Sequence, residues 1–531
     1  MLSSRAFTAI AALFALLVTK AAAGDVYAHF ILGNAGAYTQ SDWAKDIALA
    51  ADSKIDGFAL NIGGDSYTDT QLGYAYAAAE AHGNFKMFIS FDYGANPGFS
   101  ASGVASTINK YKGSSAQAQY SGKPLVSTFE GTDYAGDWPG IKSSTGCFFV
   151  PDWTSAKGTP STFSVVDGAL SWDIWPTTAA DMTDANDKAW QSLLGSKVYM
   201  MGISPWFYTN LPAFNKNWLW RSNGLWYERW QQALEIQPQL IEIVTWNDFG
   251  ESSYIGPIVQ SEVVPGAGAY VNNNPHDGWR ALLPYYIDAY KNGNQASTPT
   301  VDILSWAHQP NPVNACGTGG TTGGQDGGDP TQYAEDLIDV DVALSAPADI
   351  SVTIGGGAAT TKSGVPAGIS HFQIPFNGQT GQVVYTVSRN GATVLTVQGA
   401  TISSDCTTVN WNAVTGSQTA SGSSGSSTST CIVSFAAKDT TVYGENIFIA
   451  GDDAALGSWD TNKALALNAD QYTADNPLWV GSVRLPAGST VTYRYFKKGT
   501  DGSTITWQGA NRTLTVPESC AGVVTQNDTV A

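Results

Sequence analysis

Basic side chains are scarce in this chain of 531 residues. Lys and Arg number 26 against 45 Asp and Glu, which gives a net charge of −19, and charged residues of both signs make up only 13%. Proteins that bind nucleic acid or an anionic membrane surface neutralise phosphates with Lys and Arg. This chain has the wrong sign of charge for that task, so we expect neither nucleic acid nor a membrane among its partners.

Long apolar runs are missing too, apart from one near the start. Residues 7–18 form an apolar stretch that follows Arg5 and precedes three alanines at 21–23. The stretch is shorter than the roughly 18 residues that a membrane span needs, and this order of charge, apolar run and small residues is typical of a secretory signal peptide. We predict that residues 1–23 are a signal peptide, cleaved near Gly24, and that the mature protein is secreted, either extracellular or associated with the cell wall.

Cysteine is rare, and the common metal and cofactor motifs are absent. The sequence has no Cys-x-x-Cys, His-Glu-x-x-His, Gly-x-Ser-x-Gly or phosphate-binding Gly-x4-Gly-Lys-Ser/Thr, so we expect no metal and no cofactor. In the oxidising compartment predicted above, five cysteines favour disulfides. We predict the pairs Cys316–Cys406 and Cys431–Cys520, and a buried free thiol at Cys147.

Residues 24–300 alternate short apolar runs with amphipathic stretches. Repeated strand–helix units predict a parallel sheet, and eight units in this length match an α/β fold of the closed (β/α)8 TIM-barrel type. A doubly wound open sheet is the alternative, although no Gly-x-Gly-x-x-Gly follows the first run. No helix is predicted between the fifth and sixth runs. The runs are 26–32, 55–62, 85–91, 124–130, 147–153, 168–175, 197–204 and 240–248, and the clearest helical stretches are 39–51, 69–82, 183–194, 224–236 and 277–290.

The second half of the chain has a different pattern. Residues 301–414 alternate apolar and polar residues at period two, which predicts an antiparallel β-sandwich with strands at 350–354, 371–376, 382–389, 392–399 and 407–414. Within it, the glycine-rich stretch 316–330 is interpreted as a flexible loop or surface excursion. Residues 415–430 are small and polar and predict a linker. The remainder, 431–531, is again β-patterned.

Acidic and aromatic side chains gather at the ends of the predicted strands. Because the carboxyl ends of barrel strands face the active site, these residues are expected to share one cleft. Carboxylates and amides bind hydroxyl groups, whereas indoles stack on sugar rings, so the cleft is predicted to bind carbohydrate. The polar candidates are Asn61, Asp92, Glu130, Asp152, Asp173, Asn247, Asp248 and Glu251, and the tryptophans are Trp153, Trp172, Trp175, Trp206 and Trp246.

Asp248 and Glu251 are the best candidates for a catalytic pair. Hydrolysis of a glycosidic bond needs one carboxyl that donates a proton and one carboxylate that activates water or attacks carbon. The two acids lie three residues apart after the eighth strand, in a turn that contains Gly250. His29, within the first strand, is equally compatible with a structural role and with substrate binding.

Residues 25–300 resemble glycoside hydrolase family 71, the fungal α-1,3-glucanases or mutanases. The resemblance rests on VYAHFILGNAGAYTQSDWAKDI, IDGFALNIG, STFEG, FFVPDW and IEIVTWNDFGESSYIGP. It implies endo-hydrolysis of α-1,3-glucan with inversion, catalysed by Asp248 and Glu251. Similarity to a related endomannosidase family, with a W-N-E-W-x-E pattern, implies that Asp248 is the base and Glu251 the acid. The middle β-domain resembles the accessory domain of this family.

The C-terminal segment resembles a family 20 carbohydrate-binding module, the starch-binding type. TVYGENIFIAGDDAALGSWD, NPLWVGSVRLPAG, VTYRYFKK and TWQGANRTLTVP carry the resemblance. It implies two sites for α-1,4-glucan, with Trp479 in the core. The first site would use Trp459, Trp507 and Asn511, with Arg494 where the family often has Lys, and the second Tyr443 and Tyr472. Asn511 also begins a glycosylation sequon.

Three functions are therefore open. The main hypothesis is a secreted, monomeric endo-α-1,3-glucanase that acts on fungal wall-type glucan. In a second enzyme hypothesis the barrel hydrolyses α-1,4 or mixed linkages, because the C-terminal segment resembles a module that binds α-1,4-glucan. The third is a wall-glucan-binding protein without activity.

Overall fold

The structure is a computed structural model. It describes residues 24–531 except 314, 315, 326, 408, 421–429, 443, 470, 471, 500–503, 518–523 and 531. The chain forms two compact units, Met1–Ala420 and Ser421–Ala531. The predicted signal peptide lies outside the described residues. Among the helices in the described part of the chain, none is both long enough and apolar enough to cross a bilayer.

The first unit begins with a curled, mainly parallel sheet. Its order is β4-β5-β3-β2-β1-β11-β8-β7, with β6 beside β5, and each of the eight predicted apolar runs contains one of its strands. Single parallel bridges join Phe129 to Asp152 and Asp152 to Leu170, between β5 and β7. The strands up to residue 300 are β1 (Val26–Ile31), β2 (Gly57–Ile62), β3 (Lys86–Asp92), β4 (Gln119–Tyr120), β5 (Lys123–Phe129), β6 (Phe148–Phe149), β7 (Gly168–Ser171), β8 (Val198–Ile203), β9 (Tyr208–Leu211), β10 (Lys216–Leu219) and β11 (Leu240–Ile243).

Helices connect most of these strands. The first begins as its sequence predicts, because the Thr39 hydroxyl accepts from the Asp42 N–H and the Asp42 carboxylate accepts from the Thr39 N–H. The predicted helix 277–290 is instead two short helices, with Pro284 in the first turn of the second. Only 3-10 turns lie between β6 and β7, as expected. The helices are α1 (Gln40–Asp52), α2 (Thr68–His82), α3 (Ala101–Tyr111), α4 (Trp138–Thr145), α5 (Ala185–Leu194), α6 (Leu225–Ile236), α7 (Gly268–Val271), α8 (Asp277–Arg280) and α9 (Leu283–Lys291).

Side-chain alternation along the strands gives two apolar layers. One lies between sheet and helices and contains residues such as Phe30 and Trp43. The other is small and draws alternate residues from strands all around the curl, so it fills the inner side of the sheet. Its buried members are Tyr27, Ala59, Phe88, Ala118, Leu125, Val150, Leu170, Val198, Met200 and Leu240. A residue two positions further along a strand lies on the same side of the sheet. His29, two residues after Tyr27 on β1, therefore points toward the inner side of the curled sheet, near the carboxyl ends of its strands.

Two four-stranded antiparallel sheets follow, in the orders β17-β14-β12-β20 and β16-β15-β18-β19, and they enclose one apolar cluster. The predicted strand at 407–414 is wrong for most of its length. Asn412 Oδ1 accepts a hydrogen bond from His276 Nε2 and Asn412 Nδ2 donates to the Tyr254 hydroxyl, so this stretch packs against loops that follow the first sheet instead. The strands are β12 (Ile303–His308), β13 (Thr322–Gly323), β14 (Leu337–Leu344), β15 (Ala348–Ile354), β16 (Thr360–Val365), β17 (Gly368–Pro375), β18 (Gly381–Arg389), β19 (Ala392–Ile402) and β20 (Val414–Thr419).

The boundary of this region also differs from the prediction. The predicted linker starts at residue 415, but Val414–Thr419 is paired with β12 as a strand, because its backbone groups complete the edge of that sheet. The disulfide between Cys316 and Cys406 is present as predicted, and Cys147 is a buried free thiol.

The second unit is all-β, with a three-stranded sheet and a five-stranded sheet around one apolar core. Cys431 and Trp479 are buried in that core; Cys520 lies outside the described residues. The strands are β21 (Thr430–Lys438), β22 (Asn446–Gly451), β23 (Leu465–Ala466), β24 (Leu478–Pro486), β25 (Thr490–Lys498), β26 (Ile505–Trp507), β27 (Arg512–Thr515) and β28 (Val524–Thr529).

Candidate active site

A pocket of about 490 Å³ lies at the carboxyl ends of the strands of the curled sheet. Its lining combines four carboxylates with a ring of aromatic side chains, which suits a ligand that has both hydroxyl groups and apolar ring faces. The lining residues are His29, Ile31, Asn61, Asp92, Phe129, Trp172, Asp173, Trp175, Thr177, Phe207, Lys216, Trp218, Trp220, Thr245, Asp248, Glu251 and Gln325.

The turn after β11 brings Asp248 and Glu251 into this pocket together. The Asp248 N–H donates to Thr245 Oγ1 over 2.8 Å, and Asp248 Oδ1 accepts the Glu251 N–H over 2.9 Å. A side chain at Gly250 would bring its Cβ 3.2 Å from Val264 Cγ2, so the small residue lets the turn pack closely. These contacts hold the Asp248 carboxyl and the Glu251 backbone in one turn, and both side chains line the pocket.

The charge around the pair is uneven. Burial, and next the neighbouring Glu251 carboxylate, raise the pKa of Asp248 to about 7, although the Lys216 charge opposes that shift. Lys216 Nζ lies 2.6 Å from Glu251 Oε1. Burial disfavours the charged form of Lys216, but the Glu251 carboxylate outweighs it and raises the pKa of the ammonium group. The site thus combines a buried carboxyl whose pKa is raised with a second carboxyl that is paired to a cation.

Replacing Lys216 by Met should move the pH dependence of catalysis. Its charge lowers the pKa of Asp248, so its loss raises that pKa, and the limb of the pH–rate profile that reports Asp248 moves to higher pH. The measurement is kcat/KM against pH for both proteins. Lys188→Met removes an exposed lysine of α5 that pairs with Asp184, the residue before the helix, and should leave the profile in place. An unchanged or downward-shifted profile for Lys216→Met would contradict this account.

Other predicted residues line the pocket as well. His29 Nδ1 lies 2.7 Å from Glu242 Oε1, and this buried contact orients the imidazole. Its ring also meets Trp172 edge to face, with centroids 5.3 Å apart. Asn61, Asp92, Asp173 and Trp175 complete the predicted set at the pocket.

Three predicted tryptophans do not line it. Trp153 and Trp246 are buried in the apolar layer outside the sheet, and Trp206 is buried where its Nε1 donates to the Trp411 carbonyl oxygen. Successive side chains of an extended segment point to opposite sides, so Trp153, which follows Asp152, faces outward. Proximity in sequence to an acid was therefore a poor guide for these residues.

Three predicted polar residues also lie off the pocket lining. Asn247 is buried and joins the turn to β1, because its amide accepts from the Ile31 N–H and donates to the Ile31 carbonyl oxygen. Asp152 is buried and accepts from Thr154, and burial is the main reason that its pKa is raised to about 8. Glu130 accepts from the Ser155 hydroxyl. Each supports the backbone that surrounds the pocket.

Sequence reasoning missed one wall of the pocket. The β9–β10 hairpin, which turns at Asn215 with φ of 54°, presents Lys216, Trp218 and, just beyond it, Trp220. Alternate apolar residues on both sides of an Asn turn were a signal for it. Gln325 comes from the glycine-rich stretch, for which composition gave no such signal.

The second unit holds the residues predicted to bind starch-type glucan. The rings of Trp459 and Trp507 lie 6.4 Å apart, and Arg494 lies 5.5 Å from the Trp507 ring centre and donates to the Gly509 carbonyl oxygen. Asn511 is exposed nearby in sequence. Tyr472 packs edge to face on the buried Trp479, and Tyr443 lies outside the described residues.

The carboxylates of the pocket were also considered as metal ligands. Within the described part of the chain, no group of three or more His, Cys, Asp or Glu side chains is arranged to hold a metal ion.

Comparison with known proteins supports a carbohydrate-active site. Residues 22–428 match glycosyl hydrolase family 71, and residues 430–526 match a starch binding domain. Over 407 residues the chain is 39% identical to a glucan endo-1,3-alpha-glucosidase of Schizosaccharomyces pombe, covering 74% of this chain and 94% of that protein. A mutanase of Penicillium rubens is 38% identical over 406 residues, covering 74% and 88%. An ascus wall endo-1,3-alpha-glucanase of Schizosaccharomyces pombe is 28% identical over 395 residues, covering 70% and 90%.

The family match spans the curled sheet, its pocket and the two sheets that follow, and the relatives are matched along most of their length. On this evidence the chain is a glycoside hydrolase and belongs to glycosyl hydrolase family 71.

Proposed function

We propose that this protein hydrolyses α-1,3-glucosidic bonds within glucan chains. The observation that carries the proposal is the meeting of Asp248 and Glu251 in one aromatic-lined pocket. Carboxyl pairs catalyse glycoside hydrolysis, and aromatic walls hold the pyranose rings. The names of the relatives, an endo-1,3-alpha-glucosidase and a mutanase, support the linkage.

In the proposed mechanism, Asp248 is the general base that activates water and Glu251 the general acid that protonates the leaving oxygen, with inversion at the anomeric carbon. A base works best when its pKa lies near the working pH, and that of Asp248 is raised to about 7. Glu251 must then part from Lys216 before it donates a proton. His29, Asn61, Asp92 and Asp173 are proposed to bind sugar hydroxyls.

One observation favours the opposite roles. In the free site Glu251 is paired with a lysine, which is typical of an ionised carboxylate that acts as a base. The pKa of Asp248 is raised, which is typical of a carboxyl that acts as an acid. Glucosyl fluorides separate the two assignments, because fluoride leaves without protonation. The acid-deficient variant, Asp248→Asn or Glu251→Gln, should retain activity on the fluoride, and the base-deficient variant should not.

The function itself is tested with α-1,3-glucan, nigeran and starch as substrates. Reducing ends are followed together with the anomer first released. Release from α-1,3-glucan with the inverted anomer is expected. A second candidate, α-1,4 or mixed-linkage hydrolysis, is favoured by the starch binding domain match, and release from starch alone would overturn the main proposal in its favour.

The architecture we propose for residues 24–300 is a closed eight-stranded barrel. The bridges on both sides of Asp152 support closure between β5 and β7, and β11 pairs with β1. A barrel would place the pocket at its usual catalytic end. We propose an accessory β-sandwich after it and a carbohydrate-binding module from residue 431.

The module is proposed to hold the enzyme on α-1,4-glucan segments. Trp507→Ala removes the half-buried one of the two stacking rings. It should weaken binding to starch, measured by pull-down, roughly tenfold, with hydrolysis of soluble α-1,3-oligosaccharides unchanged. Val442→Ala removes another exposed apolar side chain of the unit and serves as the control in the same pull-down assay. Loss of soluble-substrate hydrolysis in Trp507→Ala would mean that the unit takes part in catalysis.

We also propose that the protein is a secreted monomer that works on wall glucan. The predicted signal peptide and the wall location named for the Schizosaccharomyces relative support this. Linkages of both kinds in one wall polymer would give the pocket and the module a common substrate.

A further inference from the structure

The first part of the glycine-rich stretch, residues 316–325, is more ordered than its composition suggests. Its strand β13 pairs in parallel with β10, so that Thr322 lies beside Trp218 and Gly323 beside Leu219. The Thr321 hydroxyl donates to Asn217 Oδ1 over 2.8 Å. The start of the stretch is tied to Cys406 by the disulfide.

The glycines serve this packing. Gly324 has φ of 69°, and a Cβ there would lie 2.8 Å from Cζ3 of Trp220; a Cβ on Gly323 would lie 2.2 Å from the Tyr333 ring. The Gly324 N–H donates to the Leu219 carbonyl oxygen over 2.8 Å. The backbone at Gly324 is thereby held against the ring of Trp220, which lines the pocket.

This arrangement places Gln325 in the pocket. It lines the same pocket as Asp248 and Glu251, and among the described lining residues it alone comes from beyond residue 300. Its side chain is exposed, and its amide makes no hydrogen bond to any residue that the structure describes. An amide that offers both donors and an acceptor to a pocket for sugars is suited to a hydroxyl group.

We propose that Gln325 is a substrate-binding, specificity-determining residue that hydrogen-bonds a hydroxyl of the bound glucan chain, and that residues 322–325 hold it at the wall of the catalytic cleft. The inference rests on the proposed function, because the hydroxyl belongs to its substrate. Gln325 takes no part in proton transfer. The catalytic pocket is thus completed by a segment that follows the curled sheet in sequence.

The test compares full-length variants on soluble α-1,3-gluco-oligosaccharides. Gln325→Ala should raise KM about three- to tenfold, the size of one neutral hydrogen bond, with kcat within about twofold because the pair is untouched. Gly324→Val should raise KM at least as much by pushing the segment away from Trp220. Gly317→Ala, in the same stretch but with open space around its Cβ, is the control and should behave like the parent.

The outcomes separate the two proposals. A parent protein without activity on these oligosaccharides overturns the proposed function. An active parent with unchanged KM in both Gln325→Ala and Gly324→Val overturns the role of Gln325 and leaves the function standing. A fall in kcat at constant KM in Gln325→Ala also overturns it, because binding would then be unaffected.

Discussion

Asp248→Asn is expected to lower kcat on α-1,3-glucan about a thousandfold, and Glu251→Gln by a similar factor, because each removes a group proposed to transfer a proton. The amide at position 248 keeps the shape of the side chain and an oxygen that accepts the Glu251 N–H. The turn should therefore persist, and the loss should reflect chemistry. Reducing-end release at saturating substrate measures the effect.

Asp92→Asn is the comparison within the same pocket. Asp92 lines the pocket but lies on another strand, and its Oδ1 accepts the Ala95 N–H. It should change KM more than kcat, since it is proposed to bind substrate. An undiminished rate in Asp248→Asn, or an equal loss of kcat in Asp92→Asn, would contradict the assignment of the pair.

Asp187→Asn is expected to destabilise the first unit by about 3–5 kcal/mol, because it leaves a buried guanidinium without its counter-charge. Arg229 on α6 donates to both carboxylate oxygens of Asp187 on α5, over 2.8 and 2.9 Å. The same carboxylate accepts from the Tyr199 hydroxyl, and Arg229 also donates to the Gly202 carbonyl oxygen. These contacts tie two helices to β8. Thermal unfolding should show a lower midpoint.

An ion pair at the start of the same helix provides the control. Asp184 is the N-cap residue of α5 and Lys188 lies one turn later; the Lys188 side chain is exposed and that of Asp184 half-buried, with Nζ 2.5 Å from Oδ2. Lys188→Met should leave the unfolding midpoint unchanged, because solvent screens such pairs. The double variant Asp187→Leu with Arg229→Met should be more stable than Asp187→Asn, since no unpaired charge is left. Equal midpoints for Asp187→Asn and the parent would show that the buried pair is dispensable.

The sequence predicted much of the sheet because burial imposes a readable pattern. All eight apolar runs contain strands. Four polar residues that were predicted at the ends of these runs line one pocket, namely Asn61, Asp92, Asp173 and Asp248. The tryptophans were less predictable. An indole beside an acid is compatible with a sugar site and with an apolar core. The two differ only in whether the side chain points to the inner or the outer side of the sheet, and Trp153 and Trp246 point to the outer side.

Lys216, Trp218 and Gln325 could not be assigned to the site from their neighbours in sequence. They reach it through a hairpin after β8 and through parallel pairing of β10 with β13, more than 100 residues further along the chain. Composition suggested a flexible excursion for residues 316–330, because glycine is typical of loops. Here the missing side chains permit close packing against Trp220 and Tyr333 instead.

The sequence by itself therefore determined which residues could do the chemistry: an acidic pair after the last strand of a repeated strand–helix pattern, with aromatic residues around it and a separate sugar-binding tail. Local patterns carry that information because strand alternation and helix capping act between near neighbours. Tertiary structure decided which of the candidates share the pocket, which carboxyl is paired with Lys216, and that a later segment completes the cleft. Those facts depend on contacts between residues far apart in the chain, which no local pattern encodes.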